Sequence, residues 1–173
     1  MIRAVFTLPF LPMPLIVFVL VMLFTQQVHA ADFKISLAKT LRSEGGYVND
    51  TIVRGGETYR GITRQSHPEW KGWKIIDSTV SDLGYDSTRN CDQEIRHKID
   101  RALAKQKKLQ VMIRTLYRTQ YWDPLRLDKE PNQKLADRLF DISVKRGVQG
   151  AEQMRRRMIL KAKNPHLKSP HPN

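Results

Sequence analysis

Residues 43–50 read SEGGYVND, and the interpretation of the whole chain starts from this stretch. Apolar residues before it recur at the spacing of one helix face, at Phe33, Leu37, Ala38 and Leu41. The double glycine at 45–46 should end that helix, because glycine tolerates the left-handed backbone found at helix C-termini. The pattern therefore predicts that Glu44 lies on the last helical turn and faces a glycine-rich connection.

Residues 55–63 read GGETYRGIT and follow closely. Their double glycine predicts a tight turn, and Thr58 to Thr63 predict a short β-like return. A carboxyl group at a helix C-terminus meets the negative end of the helix dipole, which disfavours its ionised form. Partial burial acts in the same direction, and an acid that keeps its proton near neutral pH can serve as a general acid. The alternative for Glu44 is an ordinary solvated cap residue.

The remaining stretches show helical rather than alternating patterns. Helices are predicted from Asp92 to about residue 108, from 109 to 121, from Asn132 to a stop at Gly147, and from 150 to 162. Residues 75–90 are polar and rich in turn formers, which predicts a loop or short irregular helices. The expected fold is mainly α, with one small β-hairpin near Glu44.

Residues 1–30 have the features of a secretory signal. Arg3 precedes an apolar run at residues 15–24, and small residues at 28 and 30 stand before Ala31. The run is shorter than the roughly 18 residues that a membrane span needs. We therefore expect a cleaved signal and an exported protein, in the periplasm or outside the cell. An uncleaved N-terminal anchor is the alternative.

The chain is strongly basic, with 30 Lys and Arg against 17 Asp and Glu, for a net charge of +13. Exported basic proteins meet anionic envelope components, whereas nucleic acid would be the expected partner inside a cell. Cys91 is the one cysteine, so an intramolecular disulfide is excluded. We expect no cofactor, no metal, no nucleic acid, a monomer, and membrane contact only through the signal segment. A membrane-active cationic protein is kept as an alternative.

Three segments together resemble glycoside hydrolase family 108, a family of N-acetylmuramidases. They are residues 44–63, residues 116–125 (LYRTQYWDPL) and residues 139–147 (LFDISVKRG), and their order and spacing agree over most of 35–160. The resemblance implies a lysozyme-like catalytic domain at 31–122 and a helical, peptidoglycan-binding-like part at 123–163. Residues 164–173, rich in proline, are expected to form a disordered tail.

The resemblance also implies a reaction and its residues. Peptidoglycan glycan strands would be cut at the β-1,4 bond between N-acetylmuramic acid and N-acetylglucosamine, with Glu44 protonating the glycosidic oxygen. The candidate substrate-binding residues are Tyr47, Asn49, Asp50, Thr58 and Thr63. The tryptophans are expected in the core rather than in a sugar groove, at Trp70, Trp73 and Trp122.

Two positions depart from the family pattern. Val53 stands nine residues after Glu44, where phage-type lysozymes carry a second acid, and Lys145 stands where the family commonly has asparagine. Asp50 and Glu57 are nearby carboxylates, but neither has the matching position. Hydrolysis normally uses two carboxyl groups. The open alternatives are a hydrolase with water positioned by threonine or Asp50, a lytic transglycosylase, and a non-catalytic peptidoglycan-binding protein.

Overall fold

The computed structural model describes residues 30–49, 56–85 and 92–164. Within them lie five α-helices: α1 Phe33–Ser43, α2 Gly72–Asp82, α3 Gln93–Lys105, α4 Lys107–Tyr117 and α5 Gln133–Lys163. The strands are β1 Tyr47–Val48, β2 Thr58–Tyr59 and β3 Ile62–Thr63. A π-helical turn and two 3₁₀ turns join α4 to α5, at Arg118–Trp122, Asp123–Leu125 and Leu127–Lys129. The expected mainly helical, lysozyme-like fold class with a small sheet is confirmed.

An aromatic cluster holds the start of α1 against the middle of the chain. Phe33, Trp122 and Phe140 meet edge to face, with ring centroids 5.4, 5.8 and 5.6 Å apart. Trp122 is 0% exposed and Trp73 is 2% exposed, so both belong to the core as expected. Trp70 is half-buried and packs edge-on against Trp73.

Helices α1 and α5 run side by side in the same direction. At their starts, the Asp32 backbone N–H donates to Gln133 Oε1 at 2.6 Å. One turn further, the Ser36 hydroxyl donates to Asp137 Oδ1 at 2.6 Å. The partners advance by four residues on each helix between these two contacts, which is about one helical turn. The same register, continued for two more turns, brings residue 145 of α5 beside Glu44.

Asp137 joins the two helices through several donors. Burial alone would raise the pKa of its carboxyl, but hydrogen bonds from Lys39, Ser36 and Gln133 outweigh burial and lower that pKa. Because the folded pKa lies below the unfolded value, this stabilisation is present above about pH 4. It is lost as the pH falls through the folded pKa. The contact between α1 and α5 is therefore expected to weaken in acid.

We expect Asp137→Asn to lower the free energy of unfolding by about 1–2 kcal/mol near neutral pH, since an amide accepts weaker hydrogen bonds. At about pH 3 the variant and the wild type should be closer in stability, because the wild-type carboxyl is then gaining its proton. Urea unfolding at the two pH values measures both quantities. Asp141→Asn is the matched control, since Asp141 pairs with Lys145 on the same helix. An equal loss for Asp137→Asn at both pH values would contradict the assignment.

The small sheet has one buried face and one accessible face. Antiparallel pairing sets Tyr47 opposite Tyr59 and Tyr59 opposite Ile62, and these three side chains are at most 1% exposed. Thr58 and Thr63 lie opposite each other on the half-buried face. The predicted β-like return is confirmed as β2, a turn and β3, and β1 adds a third strand.

One secondary-structure prediction was wrong. Residues 75–82 were expected as a loop or irregular helices, but they lie in the regular helix α2. Trp73, Ile76 and Val80 form its buried face, at helical spacing. Polar residues between them cover the solvent side and dilute the apolar pattern. Residues 86–91 lie outside the described part of the chain.

Helix α5 is interrupted at Gly147, whose φ of 74° and ψ of 166° are not helical. The sequence predicts a helix end at this glycine, and the backbone confirms it. Beyond it, the Arg155 guanidinium donates to the Leu125 carbonyl at 2.9 Å, and Ala151 is fully buried. The last part of α5 is therefore packed on the body of the protein along one face. Among the described residues, none of the helices combines the length and the hydrophobicity of a membrane span.

Candidate active site

Glu44 occupies the C-cap of α1. Its backbone N–H donates to the Thr40 carbonyl at 3.1 Å, and Gly45 follows with a φ of +76°. This left-handed glycine ends the helix and lets the chain turn into β1. The Glu44 side chain is half-buried, at the position that the sequence predicts for it.

The turn between β2 and β3 closes against the Glu44 carboxyl group. Arg60 and Gly61 form this two-residue turn, and both have positive φ values, 52° and 77°. A Cβ atom on Gly61 would lie 2.7 Å from Glu44 Oε2 and 2.7 Å from the Tyr117 hydroxyl. The Tyr117 hydroxyl donates to the Arg60 carbonyl at 2.7 Å. The carboxyl, the phenol and the hairpin turn thus form one compact group.

Two tyrosines give this group its electrostatic character. Burial raises the pKa of Tyr117, and the charge of Glu44 and then Tyr121 raise it further. Burial is also the larger cause that raises the pKa of Tyr121, and the charge of Glu44 adds to it. The ring centroids of Tyr121 and Tyr117 lie 5.7 Å apart. Both hydroxyls therefore stay protonated near neutral pH. They place neutral phenols, rather than further negative charge, around Glu44.

A lysine adds a positive charge on the side of α5. The register between α1 and α5 places Lys145 near Glu44, and its ammonium lies 2.8 Å from Asp141 Oδ1. The hydrogen bond to Asp141 is the first cause that raises the pKa of Lys145, and the charges of Asp141 and Glu44 add to it. Lys145 therefore stays charged near neutral pH and adds one positive charge on this side of the site.

Glu57 is a second carboxylate of the hairpin, but it anchors the sheet. Its side chain is 10% exposed and accepts from the Tyr47 hydroxyl at 2.9 Å and from Arg64 Nε at 2.5 Å. Arg64 also binds Asp77 of α2 and lies 4.4 Å from the Trp73 ring centroid. This network ties the sheet to α2 and uses the Glu57 oxygens for structure.

The predicted substrate-binding residues include two that are buried and one that lies outside the described residues. Tyr47 is 1% exposed and Asn49 is 8% exposed, so both side chains lie inside the folded protein. Through its bond to Glu57, Tyr47 supports the sheet from the buried side. Asp50 lies outside the described residues, as does Val53. The glycan-binding roles of Tyr47, Asn49 and Asp50 remain predictions.

Thr58 and Thr63 are placed differently, on the half-buried face of the sheet. The Thr58 hydroxyl donates to the Gly56 carbonyl at 3.1 Å, and the Thr63 hydroxyl donates to Ser66 Oγ at 2.8 Å. Each hydroxyl oxygen keeps acceptor capacity for a further partner. Among the predicted binding residues, these two are the ones that face outward in the described structure.

A groove lies between α1 and α5, and Glu44 is not among its lining residues. It encloses about 380 Å³ and is lined by residues of both helices, including Thr40 and Asp141. These two residues precede Glu44 and Lys145 by one helical turn. No group of three or more His, Cys, Asp or Glu side chains able to hold a metal ion occurs in the described segments.

The neighbours of Glu44 from outside its own segment were missed as site residues. Tyr117 and Tyr121 are four residues apart in LYRTQYWDPL, so helical spacing indicates a shared face. That spacing was the available signal, but it does not say what the face contacts. Lys145 is noticeable in the sequence only as a departure from the family pattern.

Residues 37–147 match the family model described as Glycosyl hydrolase 108. The matched range begins within α1, contains Glu44, the sheet and both tyrosines, and ends at the Gly147 interruption. Neither a curated protein nor a solved structure matches the chain.

Proposed function

The chain belongs to glycosyl hydrolase family 108, and from this membership we propose that it is an exported N-acetylmuramidase with Glu44 as its general acid. Membership supports, more broadly, a glycoside hydrolase that cleaves peptidoglycan. The finer proposal is that the chain cuts the β-1,4 bond between N-acetylmuramic acid and N-acetylglucosamine. One observation carries it: the Glu44 carboxyl is held at a helix end, against a hairpin turn where only glycine fits.

The first step uses the groups around Glu44. The carboxylic acid gives its proton to the glycosidic oxygen as the bond breaks and positive charge develops on the sugar. General acid catalysis of this kind contributes roughly 10²–10⁴-fold to a rate. The neutral hydroxyls of Tyr117 and Tyr121 keep further negative charge away, and the Lys145 ammonium stabilises the carboxylate that forms.

The second step is the attack of a nucleophile on the sugar. It differs here from the usual reaction, in which a second carboxyl group takes part. Glu57 is bound by Arg64 and Tyr47, which supports a structural role for it rather than activation of water. The Thr58 and Thr63 hydroxyls on the outward face are candidates for positioning the attacking water. If the 6-hydroxyl of the muramic acid attacks instead, the reaction is that of a lytic transglycosylase. In both cases the Glu44 carboxylate can accept the proton of the attacking hydroxyl.

Mass spectrometry of muropeptides released from purified peptidoglycan tests this proposal. We expect products with reducing N-acetylmuramic acid ends, in which the added water is part of the new end. Anhydromuramoyl ends would replace the hydrolase with a transglycosylase, and reducing N-acetylglucosamine ends would contradict the assigned bond. Binding to peptidoglycan without any release would indicate the third alternative, a non-catalytic wall-binding protein.

A further inference from the structure

Two phenols lie near Glu44, and they differ in what their hydroxyl groups bind. The Tyr117 hydroxyl donates to the Arg60 carbonyl at 2.7 Å, so it holds the hairpin turn. The Tyr121 hydroxyl has no hydrogen-bond partner among the described residues. In the same part of the chain, the buried side-chain polar atoms that lack a partner belong to His67, Arg96 and Trp122. The Tyr121 oxygen is therefore not sealed in the core, and it remains open to a ligand.

The backbone on both sides of Tyr121 is held in place. Tyr121 lies in the π-helical turn that follows α4, a kind of turn that is frequent at functional sites. The next residue, Trp122, is 0% exposed and packs in the aromatic cluster. The preceding residue, Gln120, has its Oε1 atom 2.9 Å from His67 Nε2, which ties the turn to the segment after the sheet. The Tyr121 ring also rests against Tyr117, so a ligand can bind it with little loss of side-chain entropy.

Tyr121 offers a ligand a hydrogen-bond donor at the edge of a half-buried ring. Its hydroxyl keeps its proton near neutral pH, because burial and then the charge of Glu44 raise its pKa. A carbonyl oxygen is a matching partner, since it only accepts hydrogen bonds. The acetamido group of an N-acetyl sugar combines such an oxygen with a methyl group, which can pack on the ring. A sugar hydroxyl offers no methyl group, so the acetamido group fits this environment better.

We propose that Tyr121 is a substrate-binding residue that donates a hydrogen bond to the acetamido carbonyl of the sugar held beside Glu44. The inference rests on the proposed function, because it takes the glycan of peptidoglycan as the ligand. Both alternating sugars of that glycan carry an acetamido group, so the contact does not depend on which of the two glycosidic bonds is cut. Tyr117 cannot make the same contact, since its hydroxyl already donates to the Arg60 carbonyl.

Binding to uncleaved glycan tests the contact. Peptide-free glycan strands are used with and without removal of their acetyl groups, and every protein carries Glu44→Gln so that the strands stay intact. Adding Tyr121→Phe should raise the Kd for acetylated strands by about 5–10-fold, through the loss of one hydrogen bond. For de-N-acetylated strands the Kd should be the same with and without this substitution. Tyr121→Phe changes no charge, so the ammonium groups that deacetylation exposes affect both proteins equally.

Tyr117→Phe in the same background is the matched control. It removes the bond to the Arg60 carbonyl, so we expect a lower Tm and the same relative change of Kd for both kinds of strand. Tyr121→Phe should not lower the Tm, because no hydrogen bond within the described residues is lost.

The outcomes separate this inference from the proposed reaction. An unchanged Kd of Tyr121→Phe for acetylated strands would overturn the inference, and so would an equal loss on both kinds of strand. Binding that depends on Tyr121 as predicted, with no muropeptide release by the wild type, would support the contact and contradict the muramidase proposal. Failure of the parent protein to bind acetylated strands would overturn both.

Discussion

Gly61→Ala is expected to slow glycan cleavage by about 100-fold, because small misplacements of a catalytic group are costly. The new methyl group would stand 2.7 Å from Glu44 Oε2 and from the Tyr117 hydroxyl, so the carboxyl or the hairpin turn must move. The alanine would also have to adopt a φ of +77°, which costs about 1–2 kcal/mol for an L-residue. Rates of muropeptide release and urea unfolding measure the two effects separately.

Gly84→Ala separates backbone strain from displacement of the carboxyl. Gly84 has a nearly equal φ of +73°, and a Cβ there would have no heavy atom within 4 Å. We expect a similar loss of stability from the backbone but a cleavage rate close to that of the wild type. If Gly61→Ala cleaves peptidoglycan as fast as Gly84→Ala, then contact with Gly61 does not position Glu44.

The segment around Glu44 could be predicted because its signals are local. A helical stripe ending in two glycines determines where α1 stops, and the residues from Thr58 to Thr63 indicate the β structure found there. The turn at Arg60 and Gly61 was not predicted, and the one predicted at residues 55–56 lies partly outside the described residues. Gly147 carries the same kind of signal at the end of a helix. Glycine at these positions adopts a non-helical backbone conformation locally, so the neighbouring sequence is sufficient to predict where the helix ends.

Helix α2 was missed because its evidence is not local. Trp73, Ile76 and Val80 are its main apolar residues, and Asp77 and Ser78 between them resemble a turn. The Asp77 carboxylate pairs with Arg64 beside the sheet. Tertiary contacts of this kind stabilise a short helix whose own periodicity is weak.

The surroundings of Glu44 depend on contacts between distant parts of the chain. Tyr117 reaches the Arg60 carbonyl across 57 residues of sequence, and Lys145 comes close through the parallel packing of α1 and α5. Sequence spacing shows that Tyr117 and Tyr121 share a helix face, but it cannot identify what that face meets. The substrate-binding roles of Asn49, Thr58 and Thr63 remain predictions.

Glu44→Gln is expected to lower the rate of glycan cleavage by about 10²–10⁴-fold, since the amide cannot donate the proton. The side-chain length is unchanged, and the backbone N–H of residue 44 can still donate to the Thr40 carbonyl. We therefore expect the variant to stay folded, with a change of at most about 1 kcal/mol in the free energy of unfolding. Thermal unfolding verifies that the variant retains the fold.

The most direct test of Glu44 as the general acid is the initial rate of muropeptide release from purified peptidoglycan. Wild type, Glu44→Gln and Glu69→Gln are compared at equal concentration. Glu69 is exposed and undergoes the same replacement of a carboxyl group by an amide, so it controls for binding to the anionic wall. We predict wild-type rates for Glu69→Gln and almost no release by Glu44→Gln. Release by folded Glu44→Gln at the wild-type rate would contradict the assignment of Glu44.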